Sequence, residues 1–216
     1  MKTIFRYGEQ EIAHLKKADS ALGKAIDQIG PLEREVIPDL FAALVSSIVA
    51  QQISSKAAET VWLRLQAYCK EITPQSIAAA SVEGIQQQGL SMRKATYIKE
   101  AANKVLSGEL DIAALAMLSD EEVCLRLSAL KGIGIWTAEM LMTFSLQRPN
   151  ILSFGDLAIH RGLRMLYRHR SIDKKLFEKY RRRYAPYNSV AALYLWAISG
   201  GACGLKDPAP KLKAPR

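Results

Sequence analysis

Leu130-Lys131-Gly132-Ile133-Gly134-Ile135-Trp136-Thr137-Ala138 stands between two stretches of helical periodicity, and its reading decides the fold. Two glycines two residues apart allow a tight reversal and a close approach of the backbone to another molecule, while Ile133 between them can plug the turn into a core. The second glycine opens a helix whose first N–H groups have no intrahelical partner and point outward. Such an N-terminus is positive and rich in donors, which suits a phosphate oxygen. A plain helix-to-helix turn also uses glycine, so the pair alone leaves both readings open.

Outward from this stretch, period-3.6 apolar spacing continues in both directions and strand-like alternation is nearly absent. Pro38 fits the first position of a helix whose stripe is Phe41, Leu44, Val45, Ile48 and Val49. A second helix starts at Ser54 or Ser55 and runs through Ala58, Val61, Trp62 and Leu65. Ser81 with Gly89, and Ser91 with Gly108, bracket two more, and Ser119 with Glu122 makes a capping box for a helix ending near Leu130. The spacing predicts further helices from Trp136, Asp156, Asp173 and Ser189. The chain therefore reads as all-α, roughly ten helices joined by short loops. No repeat or low-complexity linker interrupts it, so a two-lobed helical body is expected. Residues 38–148 form one lobe, and residues 1–37 with 149–216 form the other.

The composition fits a globular chain: 216 residues, 49% hydrophobic and 24% charged, which excludes disorder, a coiled coil and a fibrous protein. No apolar run reaches the ~18 residues of a membrane span. Met1 to Gln10 carries Lys2, Arg6 and Glu9 with no apolar stretch after them, so no secretory signal is read and a cytoplasmic location is expected. Cys69, Cys124 and Cys203 lack the short spacings of a zinc or iron–sulfur site. The net charge of +9 is unevenly spread: residues 1–160 hold 16 Lys and Arg against 18 Asp and Glu, and residues 161–216 hold 14 against 3. Clustered cations in helical segments fit either a solubilising face or a polyanion, and their concentration favours nucleic acid.

The chain resembles the helix-hairpin-helix family of DNA glycosylases. The quoted stretch matches the pattern Leu-x-Gly-Ile/Val-Gly-x-x-Thr-Ala. Asp156 follows Trp136 by 20 residues, where the family places its catalytic aspartate. Phe41 through Gln52-Ile53-Ser54 is similar to the family's helix leading to a DNA-wedge loop. The likeness runs from Leu40 to Gly201. Within the family it is most like the bacterial 3-methyladenine DNA glycosylase II branch. Members that also cut the strand carry a lysine where Trp136 stands, and an indole cannot form a Schiff base. Other branches carry a four-cysteine cluster near the C-terminus, and here only Cys203 lies there. The chain departs from the long bacterial form at Tyr187-Asn188, where that form has a Trp-Arg pair, and in lacking room for its N-terminal sheet domain.

The resemblance implies an active-site cleft between two lobes and a monofunctional enzyme of base excision repair. That enzyme flips alkylated purines such as 3-methyladenine out of damaged duplex DNA and hydrolyses them away. Asp156 is the catalytic candidate; on its own it reads equally as a helix N-cap. Trp136 and Trp196, with Tyr187, are base-pocket candidates, although Trp at helical spacing is commonly core. Gln52 and Ile53 would fill the space left by the flipped nucleotide. Ser54, Lys131, Gly132, Ile133, Gly134, Thr137, His160 and Arg161 are DNA-binding candidates. No catalytic metal or organic cofactor is expected, while the carbonyls of Leu130 and Gly132 could hold a Na+ or K+ ion. A monomer is expected. The competing readings are a non-catalytic, structure-specific DNA-binding module and a glycosylase for uracil or hypoxanthine.

Overall fold

A computed structural model describes residues 3–209. Among the described residues the order is β1 (Thr3–Ile4), α1 (Glu9–Ala18), α2 (Ser20–Ile29), β2 (Glu35–Val36), α3 (Leu40–Ala50), α4 (Ser55–Cys69), α5 (Pro74–Ala79) and α6 (Val82–Gln86). Then follow α7 (Met92–Leu106), a 3-10 turn at Ala114–Met117, α8 (Asp120–Ser128), α9 (Ile135–Phe144), α10 (Leu157–Tyr167), α11 (Lys174–Tyr184) and α12 (Asn188–Ser199). The two short strands pair as a ribbon. The chain divides into two compact units: Val36–Leu146 forms one, and the chain before and after it forms the other.

Side-chain caps set most helix starts in the first unit. Ser54, Ser81, Ser91 and Ser119 accept the backbone N–H three residues on, at 3.0–3.3 Å. Glu122 returns the bond to the Ser119 N–H at 3.1 Å, completing the box read from the sequence. At α3 the sequence reading is corrected. Asp39 is the N-cap, its carboxylate accepting Ala42 N–H at 2.6 Å, and Pro38 lies one residue outside the helix. The expected stripe Phe41, Leu44, Val45, Ile48 and Val49 is buried. The sequence reading did not include α1, α2 or α5, although Asp19 caps α2 and Thr73-Pro74 opens α5. Helix α1 buries Leu15 alone, and α5 has six residues and buries only Ile77, so their apolar periodicity is weak.

In the second unit α10 and α12 pack closely at one point. A Cβ on Gly162 would lie 2.3 Å from the carbonyl oxygen of Leu195, so only glycine fits without moving a backbone. That contact joins the helix that begins after Asp156 to the helix that carries Trp196. Gly162→Ala should therefore destabilise the protein by about 1–3 kcal/mol, the usual cost of overpacking. Urea unfolding measures this, and an unchanged midpoint would remove Gly162 as the determinant of the contact.

Candidate active site

The hairpin between α8 and α9 is a four-residue turn closed by Ile133 N–H donating to the Leu130 carbonyl at 3.0 Å. Its third residue, Gly132, has φ +83°, a left-handed value that favours glycine. A Cβ there would also lie 2.6 Å from Tyr97 Cδ2, so glycine is required twice over. Ile133 is only 3% exposed, as a plug set into the core requires. Its side chain anchors the hairpin in the core, and only its backbone can face a ligand. Gly134 caps α9 without a side chain, and nothing lies within 4 Å of a Cβ built on it. The first turn of α9 therefore opens onto clear space, with Trp136 half exposed, Ile135 exposed and Thr137 partly covered. Lys131 donates to Glu100 at 2.9 Å, and this bond holds its ammonium pKa above the usual lysine range.

The second loop of this unit follows α3. Gln51 ends the helix, Gln52 has φ +57°, and both Gln52 and Ile53 are exposed. Ser54 serves as the cap of α4, a structural duty in addition to any contact with DNA. Gln51 Nε2 donates to the Gly132 carbonyl at 2.7 Å, tying this loop to the hairpin. The sequence reading passed over Gln51, as it did Lys94, Tyr97 and Glu100. Their partners lie far along the chain, and no local spacing signals such contacts.

In the second unit Asp156 is both N-cap and buried, at 6% exposure. Its Oδ1 accepts Ala158 N–H at 2.8 Å and Ile159 N–H at 2.9 Å, so the carboxylate is oriented by its own helix. His160 is committed to the same loop: its Nε2 lies 2.7 Å from the Phe154 carbonyl, and its ring stacks on Phe177 at 5.4 Å. Arg161 Nε lies 3.7 Å from the Asp207 carboxylate, which Arg164 grips more closely at 2.6 Å. The Arg164 bond holds the Asp207 carboxyl below the ordinary aspartate range. Tyr187 accepts a bond from Gln10 at 2.9 Å and meets His14 edge-on at 5.1 Å. Trp196 is half-buried on α12. The site candidates thus form two sets. The hairpin, Trp136 and the Gln52 loop belong to the first unit, and Asp156, His160, Tyr187 and Trp196 belong to the second.

A family model described as HhH-GPD superfamily base excision DNA repair protein matches residues 45–186, a span that takes in the Gln52 loop, the hairpin and Asp156. The chain belongs to this superfamily. DNA-3-methyladenine glycosylase 1 of Schizosaccharomyces pombe is 35% identical over 176 residues, covering 79% of this chain and 77% of that protein. The structure of a DNA-3-methyladenine glycosidase from Bacillus halodurans superposes with a TM-score of 0.83 at 38% identity, covering 92% of this chain and 93% of that one. A 3-methyladenine DNA glycosylase of Schizosaccharomyces pombe, solved in complex with abasic DNA, gives a TM-score of 0.75 at 30% identity and covers 89% of this chain and 97% of its own. The all-α fold expected from the sequence is that of the HhH-GPD proteins.

The open space before Gly134 makes the hairpin's part in DNA binding testable by charge alone. Aspartate is a favoured N-cap and meets no clash there, so Gly134→Asp should fold at least as stably as the parent. Its carboxylate would face a phosphate, and duplex affinity should fall roughly tenfold or more, with or without a lesion. Gly134→Asn, equally bulky but neutral, should bind nearly normally. Equal binding by all three proteins in a fluorescence-anisotropy titration would remove the hairpin from the DNA interface.

Proposed function

We propose that this HhH-GPD protein is a monofunctional DNA N-glycosylase of the 3-methyladenine type II kind, excising alkylated purines from duplex DNA without cutting the strand. The observation that carries the reading is the buried Asp156 carboxylate, oriented by two backbone amides. Breaking the bond between base and deoxyribose leaves positive charge on the sugar as the base departs with the bonding electrons. A fixed carboxylate beside that carbon stabilises the charge and takes a proton from the attacking water. Gln52 and Ile53 would fill the vacated stack, offsetting a flipping cost of a few kcal/mol. Trp136 and Trp196 offer π faces, worth about 0.5–2 kcal/mol to a cationic alkylated base. Such a base is already a good leaving group, so the pocket needs little hydrogen-bond selection.

The carbonyls of Leu130 and Gly132 each accept one protein hydrogen bond and have a second lone pair. Each could lend that lone pair to a monovalent cation, the ion the family resemblance implies, which would add positive charge beside a phosphate. The names of the similar glycosylases support alkylated purines over uracil or hypoxanthine, and the oriented carboxylate supports an enzyme over a binding module.

Asp156→Asn retains an acceptor for the first-turn amides but loses the charge. Folding should survive while single-turnover excision drops by about 100-fold or more. Near-normal excision by this variant would sink the assignment. The absence of lyase activity has its own test. Lysine imines are trapped by borohydride, and the residue at the nucleophile position here is Trp136. Borohydride added during turnover should leave no covalent protein–DNA adduct, and a trapped adduct lost on mutation of Lys131 or another lysine would overturn the monofunctional reading.

A further inference from the structure

Helix α7 holds both loops of the first unit's site through one row of side chains. Lys94 Nζ donates to the carbonyls of Val49 at 2.9 Å and Gln51 at 2.6 Å. One turn on, the Tyr97 ring occupies the space where a side chain at position 132 would lie, and a turn further Glu100 accepts from Lys131. Gln51 closes the circuit by its own bond to Gly132. The Gln52 loop and the hairpin are thus fastened to one helix and to each other.

Lys94 occupies the critical place in this arrangement. The Val49 and Gln51 carbonyls lie at the C-terminal end of α3, where acceptors are left without intrahelical partners and the helix is negative. A cation donating to both satisfies them with charge-assisted bonds. The next residue, Gln52, stands at φ +57°, a conformation that a non-glycine side chain keeps only where its surroundings impose it. Apolar packing does not impose it, because Gln52 and Ile53 are exposed beside an open pocket of about 260 Å³ that Lys94 also lines. Burial, reinforced by the neighbouring Arg93, lowers the Lys94 pKa, the cost of drawing the ammonium out of water toward these carbonyls.

We propose that Lys94 is a positioning residue for base flipping: its grip on the end of α3 presents Gln52 and Ile53 in the conformation that enters the duplex. The inference rests on reading those two residues as the wedge. It assigns Lys94 to the flipping step, apart from both phosphate binding and bond cleavage.

Lys94→Met keeps the length of the stem and removes the donors. The test uses the full chain with two substrates, an alkylated purine in a fully paired duplex and the same purine in a single-nucleotide bulge, where little flipping work remains. Single-turnover excision from the paired duplex should fall about tenfold while excision from the bulge stays within about twofold. Affinity for undamaged duplex should hold, the fluorescence rise of 2-aminopurine beside the lesion should diminish, and Lys94→Arg should restore part of the rate. Equal slowing on both substrates, or no slowing on either, overturns the inference. If Lys94→Met does not fold, Lys94→Leu, which also lacks a donor, is held to the same criteria. A Gln52→Ala, Ile53→Ala double variant separates the two levels. If it leaves paired-duplex excision and fluorescence unchanged, the wedge reading itself fails. If it slows excision while the Lys94 variants do not, the assignment of Lys94 alone fails.

Discussion

Backbone groups left unpaired at helix ends are the constraint on which this molecule turns. Many short helices leave many N–H groups and carbonyls that must find partners or face water. Most ends are closed locally, by Asp39, Ser54, Ser81, Ser91, Ser119 and Asp173 at N-termini. Three further ends lie in the candidate site. Helix α9 begins at a glycine with no side-chain cap, so its amides open outward, and α3 ends in carbonyls that a lysine from α7 must satisfy. Helix α10 is capped by a carboxylate that the proposed chemistry also uses. At these ends the groups that close or open a helix are the ones the proposed function would use.

How much of this was legible in the sequence follows from the range of each contact. The Ser119–Glu122 box and the glycine turn at 132–134 act over three or four residues, and the chain displays them openly. Asp156 was visible as a cap from its place at the head of an apolar-periodic helix, and its candidacy as a catalyst came from its spacing to the hairpin and the family likeness. Gln51 bonds a residue 81 positions away and Lys94 reaches 43 and 45 positions back, distances at which periodicity and capping rules are silent. Ile133, between the two glycines, was legible as the plug of the turn, and it is buried as such.

Charge divides along the same lines. Residues 36–146 hold nine Lys and Arg against eleven Asp and Glu, so the unit that carries the hairpin has no net attraction for a polyanion. On the proposed reading, its contribution to DNA binding would come from the amides at the start of α9 and from individual cations. The excess of positive charge lies in the rest of the chain, with Lys175, Lys179 and Arg182 exposed on α11. Arg164 is committed to Asp207 and Arg161 lies beside it, so both are drawn toward their own chain before any phosphate arrives. On the proposed reading, long-range attraction of a polyanion would fall to the exposed cations of α11, and close contact to other residues.

Hydrolytic release of an alkylated base separates a glycosylase from a DNA-binding module. The direct measurement is to incubate the protein with duplex DNA methylated by dimethyl sulfate, separate the small molecules by chromatography and count the remaining strand breaks before and after alkali. A glycosylase should release free 3-methyladenine above the amount lost from the same DNA without protein, and alkali should then add strand breaks beyond that control, with the strands intact until alkali is added. Tight DNA binding with no free base above that control would contradict the glycosylase reading and leave a binding module in its place.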